Sequence, residues 1–539
     1  MLFHTWPFLL FMIIVLPVFF ALRRTRLWIP WLLAASYFFY GWWNPWYLIL
    51  VAYATALDYL LVTLMDRCPL PPQRTAGAGR PGLLARAFQL QFEDQILKAA
   101  YLVSASLLLT ILAVALFGPE TLRPTMLAFA VLVLLMAAGA LFGSRRIWLF
   151  ISIFNNLALL LFFKYARFVA DNLNALLAAL GSSIELSDPS TLMPYGFAYV
   201  LPVGISFFTF QSMSYTIDFY LGNVRRERSF LRFATFVCFF PQLMAGPIER
   251  ARHLLPQFQQ APPMRLQNIT DGCSLFLVGL FKKLALSNYL SLYVERIYDR
   301  PSAAGAPALI LATFAFAWQI FFDFSGYTDM ARGLARMMGF KLILNFNNPY
   351  LATGLGDFWS RWHISLSTWF RDYVYIPLGG NRAGRFATYR NLFITFLVSG
   401  IWHGAAWTFA IWGMLHALGV MLTRALERSC FYRERVPTLL KQSWVFVYVC
   451  FAWVFFRARS LSDATLIVDR IFSAAWLNPQ IPALMLALVF LAWLYQFVFE
   501  SRFRGLLRLS PVRVGLAVCM MLYLCVCSSG GGTFIYFQF

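Results

Sequence analysis

Charge is scarce in this chain of 539 residues: Asp, Glu, Lys and Arg together make up 12% of it, while apolar residues make up 60%. A soluble protein of that length carries about a quarter charged residues, so there is too little polar sequence to solvate a globular domain of this size. Acidic residues are rarer still, 23 against 44 Lys and Arg, leaving a net charge of +21. Cysteine is present eight times without a CxxC spacing, and Cys238, Cys273, Cys450 and Cys519 lie in or beside apolar runs, where a thiol behaves as a small hydrophobe. That excludes a disulfide framework and a metal–thiolate site. Histidine occurs only five times, so each one can be weighed singly. No basic region precedes the first apolar run and no small-residue cleavage site follows it, so it is expected to be a retained span rather than a removed signal.

What the chain has instead is long apolar runs. Trp6–Leu22, 126–143 and 482–499 are uncharged, and each approaches the ~20 residues a helix needs to cross the hydrocarbon. The positive charge would suggest nucleic acid in a soluble protein. Here Lys and Arg cluster between apolar runs, which fixes membrane orientation, so no nucleic acid is expected. On that rule residues 23–26, 66–98, 145–146, 225–232, 282–283, 332–341, 424–441 and 502–513 face the cytoplasm. Residues 181–195, with Glu185 and Asp188 but no Lys or Arg, face outward, as does the tail after about Cys527. The expected fold is all-α, with about 11–13 transmembrane helices and additional interfacial or re-entrant helices. No internal repeat is evident.

Ionisable residues at membrane depth are costly and mark function by default. Asp58, in the run 48–65, has no motif around it, and a structural hydrogen bond to another helix is the expectation. His4 and His253 lie in terminal and polar contexts and read as solvated. His403 lies in the apolar run 393–418 within Ser399-Gly400-Ile401-Trp402-His403-Gly404, where Gly400 and Gly404 leave one helix face bare for a neighbour. An imidazole there suits a general base; a structural histidine bonded to a neighbouring helix is the alternative. His416 on the same run reads as structural or interfacial. His363 lies in a segment, 357–372, whose helical spacing puts Trp359, His363, Leu366 and Phe370 on one face and Arg361, Ser365, Thr368 and Asp372 on the other. Asp357 is its expected N-cap, His363 faces the membrane interior, and Arg361 faces water. Arg361, Arg371, Arg382 and Arg385 could meet donor phosphates, or the segment is an ordinary basic interfacial helix. Asp329 and Arg332 are spaced for an i,i+3 ion pair, and Asp323, with no local partner, is expected to cap a helix or bond a distant basic group.

These residues resemble the membrane-bound O-acyltransferase family, and within it the bacterial alginate O-acetylation branch. The resemblance rests on Leu201-Pro202-Val203-Gly204-Ile205-Ser206-Phe207, Phe240-Pro241-Gln242-Leu243-Met244-Ala245-Gly246-Pro247, Phe322-Asp323-Phe324-Ser325-Gly326-Tyr327, the block 357–381, Trp402-His403-Gly404 and the terminal Phe534-Ile535-Tyr536-Phe537-Gln538-Phe539. It implies one membrane-embedded domain over 1–539, in the bacterial inner membrane, folded around a transmembrane tunnel. No bound cofactor is implied; the donor would be acetyl-CoA or another acyl thioester from the cytoplasm. His403 falls on the family's characteristic histidine and His363 on a second active-site histidine, with Trp359, Trp402 and Asp323 in support. The implied mechanism has His403 as general base and His363 orienting or polarising the thioester. The tail, 528–539, resembles an acyl-relay motif, in which Tyr536 passes the acyl group to a periplasmic polysaccharide O-acetyltransferase; simple anchoring of its aromatic residues at the lipid interface is the alternative. Residues 68–143 look like an insertion of a loop plus a two-helix hairpin. D-alanyl or longer-chain transfer, a transporter, and a structural subunit of an export complex remain competing readings.

Overall fold

The computed structural model describes residues 1–68, 145–193 and 199–527. The expected insertion at 68–143, save Cys68, and the tail 528–539 with Tyr536 therefore lie outside the described residues. Among the described residues there is helix and no strand. Counting α-helices of at least seven residues, α1 is Trp6–Leu22, α2 Trp28–Gly41, α3 Leu48–Arg67, α4 Arg145–Ala179, α5 Ile205–Tyr220, α6 Phe230–Cys238, α7 Leu266–Phe281, α8 Asn288–Tyr298 and α9 Ala306–Met337. After these come α10 Leu355–Arg361, α11 Ile364–Phe370, α12 Gly384–His403, α13 Trp407–Leu426, α14 Thr438–Arg457, α15 Leu461–Ser473, α16 Ala483–Glu500 and α17 Ser510–Cys527. Six described helical segments are long and apolar enough to cross a bilayer: Pro45–Arg67, α4, α9, α13, α14 and α16. Trp6–Leu22 and Ser510–Val526 are shorter apolar helices, and the two-helix hairpin expected within 68–143 lies outside the described residues.

The chain divides into two compact units, one of Leu32–Cys238 with Arg250–Gln259, the other of Met1–Trp31, Phe239–Glu249 and Gln260–Phe539. In the first, α3, α4 and α5 pack around a polar knot. The Asp58 carboxylate accepts hydrogen bonds from Ser152 Oγ at 2.6 Å and Asn156 Nδ2 at 2.8 Å, both on α4. Ser212 Oγ on α5 also donates to it. Three apolar helices are thereby pinned by donors that hydrocarbon could not otherwise satisfy.

In the second unit α9 is the central helix, and α7 lies against it backbone to backbone. A Cβ placed on Gly272 would come within 2.7 Å of the Gly333 carbonyl, and one on Gly279 within 2.5 Å of the Gly326 carbonyl. Only glycine permits that approach. A π-helical segment, Lys282–Ser287, joins α7 to α8 without a break. The basic pair between the apolar runs is therefore helical, and the extra residue of the π turn aims both lysines at α9. Lys282 Nζ meets Asp329 at 2.7 Å and Lys283 Nζ meets Asp323. Asp329 also takes the i,i+3 contact from Arg332 at 3.2 Å.

Candidate active site

The apolar run 393–418, expected as one helix with His403 in its middle, is two. α12 ends at His403, Gly404 and Ala406 are extended, and α13 starts at Trp407. A hairpin explains how the chain leaves Arg385 and comes back to the same basic side at Arg424, which a single span could not do. Its helices touch where Gly400 faces Gly413: a Cβ on Gly400 would run into the Phe409 carbonyl. Gly404, expected beside Gly400 on the same helix face, is instead the C-cap, and the Phe409 ring covers it.

The turn buries His403 to 4% exposure in an aromatic cage. Its ring centroid lies 4.9 Å from Trp402, 4.9 Å from Trp412 and 5.5 Å from Phe456. Trp402 in turn touches Phe370 of α11 at 6.3 Å. A pocket of about 490 Å³ opens beside this turn, lined by Ala406, Thr408, Phe409, Ala458 and the charged residues Glu295, Asp299, Arg457 and Arg459.

His363 is held differently. The helix expected through 357–372 breaks at Trp362–His363, because His363 adopts φ +43° and serves as the N-cap of α11. A left-handed histidine is uncommon, and the buried Asn345 accounts for it. The amide oxygen of Asn345 accepts from Ser365 N–H at 3.2 Å and Ser365 Oγ at 2.9 Å, and faces His363 Nδ1 at 3.1 Å. An acceptor facing Nδ1 fixes the proton there and leaves Nε2 as the basic nitrogen. The His363 ring stands edge-on to Phe324 at 4.6 Å and is fully buried. Trp359, Leu366 and Phe370 are buried as the spacing predicts, but Ser365, expected on the polar face, is buried with them as part of the Asn345 network. Asp357 is not the N-cap; Gly354 is, and the Asp357 carboxylate reaches back to Thr353 N–H at 3.2 Å.

Trp359 supports a third histidine. Its indole Nε1–H donates to His416 Nδ1 at 3.2 Å, which fixes the His416 proton on Nε2. His416, read from sequence as structural or interfacial, is fully buried in the same aromatic cluster as His403, with Trp412 packed against both rings. From His363 to His403 the rings run continuously through Phe346, Trp362, Trp453 and Trp412.

The arginines are less uniform. Arg361 is committed to Asp357 and Glu500, each at 2.8 Å. Arg371 pairs with its neighbour Asp372 at 2.9 Å, and Arg382 is exposed on the turn before α12. Asp323 pairs with Lys283 rather than contributing a cap. Two residues central to this geometry, Asn345 and Lys283, were not singled out as site residues by sequence: Asn345 lies in an uncharged stretch, and Lys283 read as a loop charge.

Comparison with known proteins matches the model of the membrane-bound O-acyltransferase family to residues 223–462, which include His363, His403 and His416. The chain is 39% identical over 366 residues to a probable alginate O-acetylase of Azotobacter vinelandii, covering 67% of this chain and 70% of that protein. It is 41% identical over 327 residues to a probable alginate O-acetylase of Pseudomonas putida, covering 60% and 64%. A peptidoglycan O-acetyltransferase of Helicobacter pylori is 37% identical over 347 residues, covering 59% and 63%. The chain thus spans under two thirds of the length of two of these relatives. The multi-pass helical architecture and this similarity together assign the chain to the membrane-bound O-acyltransferase family.

Proposed function

We propose that this membrane protein transfers an acetyl group from a cytoplasmic thioester, acetyl-CoA or a related donor, for O-acetylation of an exported or envelope polysaccharide such as alginate. The observation that carries the reading is His403, buried at the α12–α13 turn in an aromatic cage inside the family-matched region. The names of the relatives, alginate O-acetylase and peptidoglycan O-acetyltransferase, support acetate as the cargo and a polysaccharide as its destination.

In this reading His403 takes the proton from an acceptor hydroxyl as its oxygen attacks the acyl carbon. The carbon–sulfur bond then breaks, and the departing thiolate receives that proton from the imidazolium, restoring neutral His403. His363, proton fixed on Nδ1 by Asn345, offers Nε2 as an acceptor and orients the attacking or leaving group. Arg371 and Arg382 are the donor-phosphate candidates, with Arg361 bracing its own helix through Asp357 and Glu500. The pocket beside Ala406 and Phe409 mixes carboxylates and guanidiniums, a lining suited to a hydroxylated acceptor. The hydroxyl of the relay is assigned to Tyr536 of the tail: a phenol yields a more reactive ester than a sugar alcohol. It would relay the acetyl group to a periplasmic transferase from the inner membrane.

Radiolabelled acetyl-CoA incubated with the detergent-purified protein tests this. Label on the wild type that is lost in both His403→Ala and Tyr536→Phe supports the enzyme and the relay. Loss only in His403→Ala sinks the relay. Undiminished labelling in His403→Ala ends the base assignment.

A further inference from the structure

The aromatic wall beside His403 carries polar hydrogens that no group among the described residues accepts. His416 Nε2, Trp412 Nε1 and Trp453 Nε1 are buried and meet no hydrogen-bond acceptor among the described residues. Their rings touch one another, with centroids 4.7 Å apart for Trp412–His416, 5.8 Å for Trp412–Trp453 and 6.4 Å for His416–Trp453. A buried donor without a partner is costly, and buried polar groups are nearly always paired. Three on mutually touching rings, one of them against His403, mark a place where an acceptor belongs.

The tautomers decide which histidine can serve it. His363 spends its N–H on Asn345 and presents a lone pair. His416 spends its lone pair on the Trp359 indole and presents an N–H. Only the second can donate to a carbonyl while neutral.

We propose that His416, with Trp412 beside it, forms the carbonyl side of the active site: its Nε2–H donates to the oxygen of the acyl thioester. As the hydroxyl attacks, negative charge grows on that oxygen, and a donor already fixed in a dry cage stabilises it without reorganisation. No proton leaves His416; the hydroxyl proton goes to His403 and the electron pair of the carbon–sulfur bond to sulfur. The ligand class is a thioester or ester carbonyl. This inference rests on the acyl-transfer reading above.

The test uses full-length purified protein and separates donor from scaffold. His416→Gln keeps an N–H near the Nε2 position but loses the acceptor for Trp359; His416→Asn keeps that acceptor and loses the Nε2 donor. The inference predicts that His416→Phe and His416→Asn lower kcat about 10²–10³-fold with little change in KM, whereas His416→Gln retains most activity. Should His416→Phe fail to fold, the Asn and Gln pair decides. Isotope-edited infrared spectra of [¹³C-carbonyl]acetyl-CoA bound to His403→Ala protein add a readout that needs no turnover. The carbonyl stretch should fall on binding, and recover toward its free value when His416→Asn is added. The reverse order, Asn spared and Gln crippled, would assign His416 a purely structural role. Wild-type kinetics in His416→Asn and His416→Phe beside an inactive His403→Ala would overturn the inference and leave acyl transfer standing. A wild type that neither binds nor turns over the thioester would bring down both.

Discussion

Asp58 and His416 are both fully buried in apolar helices, yet one is saturated with partners and the other is not. The Asp58 carboxylate takes three donors from two neighbouring helices. The Lys283–Asp323 pair belongs with it: each charge is buried and each faces its opposite. Around His403, by contrast, His416, Trp412 and Trp453 hold N–H groups that meet no acceptor among the described residues. The Asp58 carboxylate is answered by the helices around it, whereas the acyl-transfer reading assigns the His416 N–H a ligand. Membrane depth alone, which flags any ionisable residue, does not separate the two kinds.

That contrast can be broken most forcefully at His403. His403→Ala is expected to cut acetyl transfer about 10²–10⁴-fold while leaving the thermal midpoint in detergent nearly unmoved; a large fall in midpoint would make it a structural histidine. Next is Lys283→Met, which strands Asp323 in the core and should destabilise the protein by about 3–5 kcal/mol. Adding Asp323→Leu should restore much of that loss, and failure to do so would mean the pair does more than balance charge. Asp58→Ala removes the acceptor of Ser212 Oγ, while Ser152 Oγ and Asn156 Nδ2 keep Thr216 and the Ser152 carbonyl; it is expected to cost about 1–3 kcal/mol, with turnover per folded molecule unchanged. A stability effect of similar size is expected at the hairpin. Gly400→Ala pushes a methyl group into the Phe409 carbonyl and should cost about 1–3 kcal/mol, lowering turnover modestly by displacing His403.

Much of this was legible in the residues. Apolar runs and basic clusters gave an all-helical membrane protein, and the i,i+3 pair of Asp329 and Arg332 is present at 3.2 Å. Local pattern failed where tertiary contacts override it. Nothing in 393–418 signals a turn at Gly404, since Gly400 and Gly404 read equally well as a packing face. The break before His363 depends on Asn345, 18 residues earlier. Lys282 and Lys283 resemble a loop because their acidic partners lie on another helix. His416 read as structural or interfacial; the N–H it presents depends on a tautomer set by Trp359, and hydrogen-bond partners 57 residues apart leave no periodic trace.

The most direct measurement is acetyl-CoA turnover per folded molecule in Asp58→Ala and His403→Ala, assayed side by side with the wild type. The account predicts that Asp58→Ala loses stability and keeps its turnover, while His403→Ala keeps its stability and loses its turnover. His403→Ala turning over at the wild-type rate would contradict it.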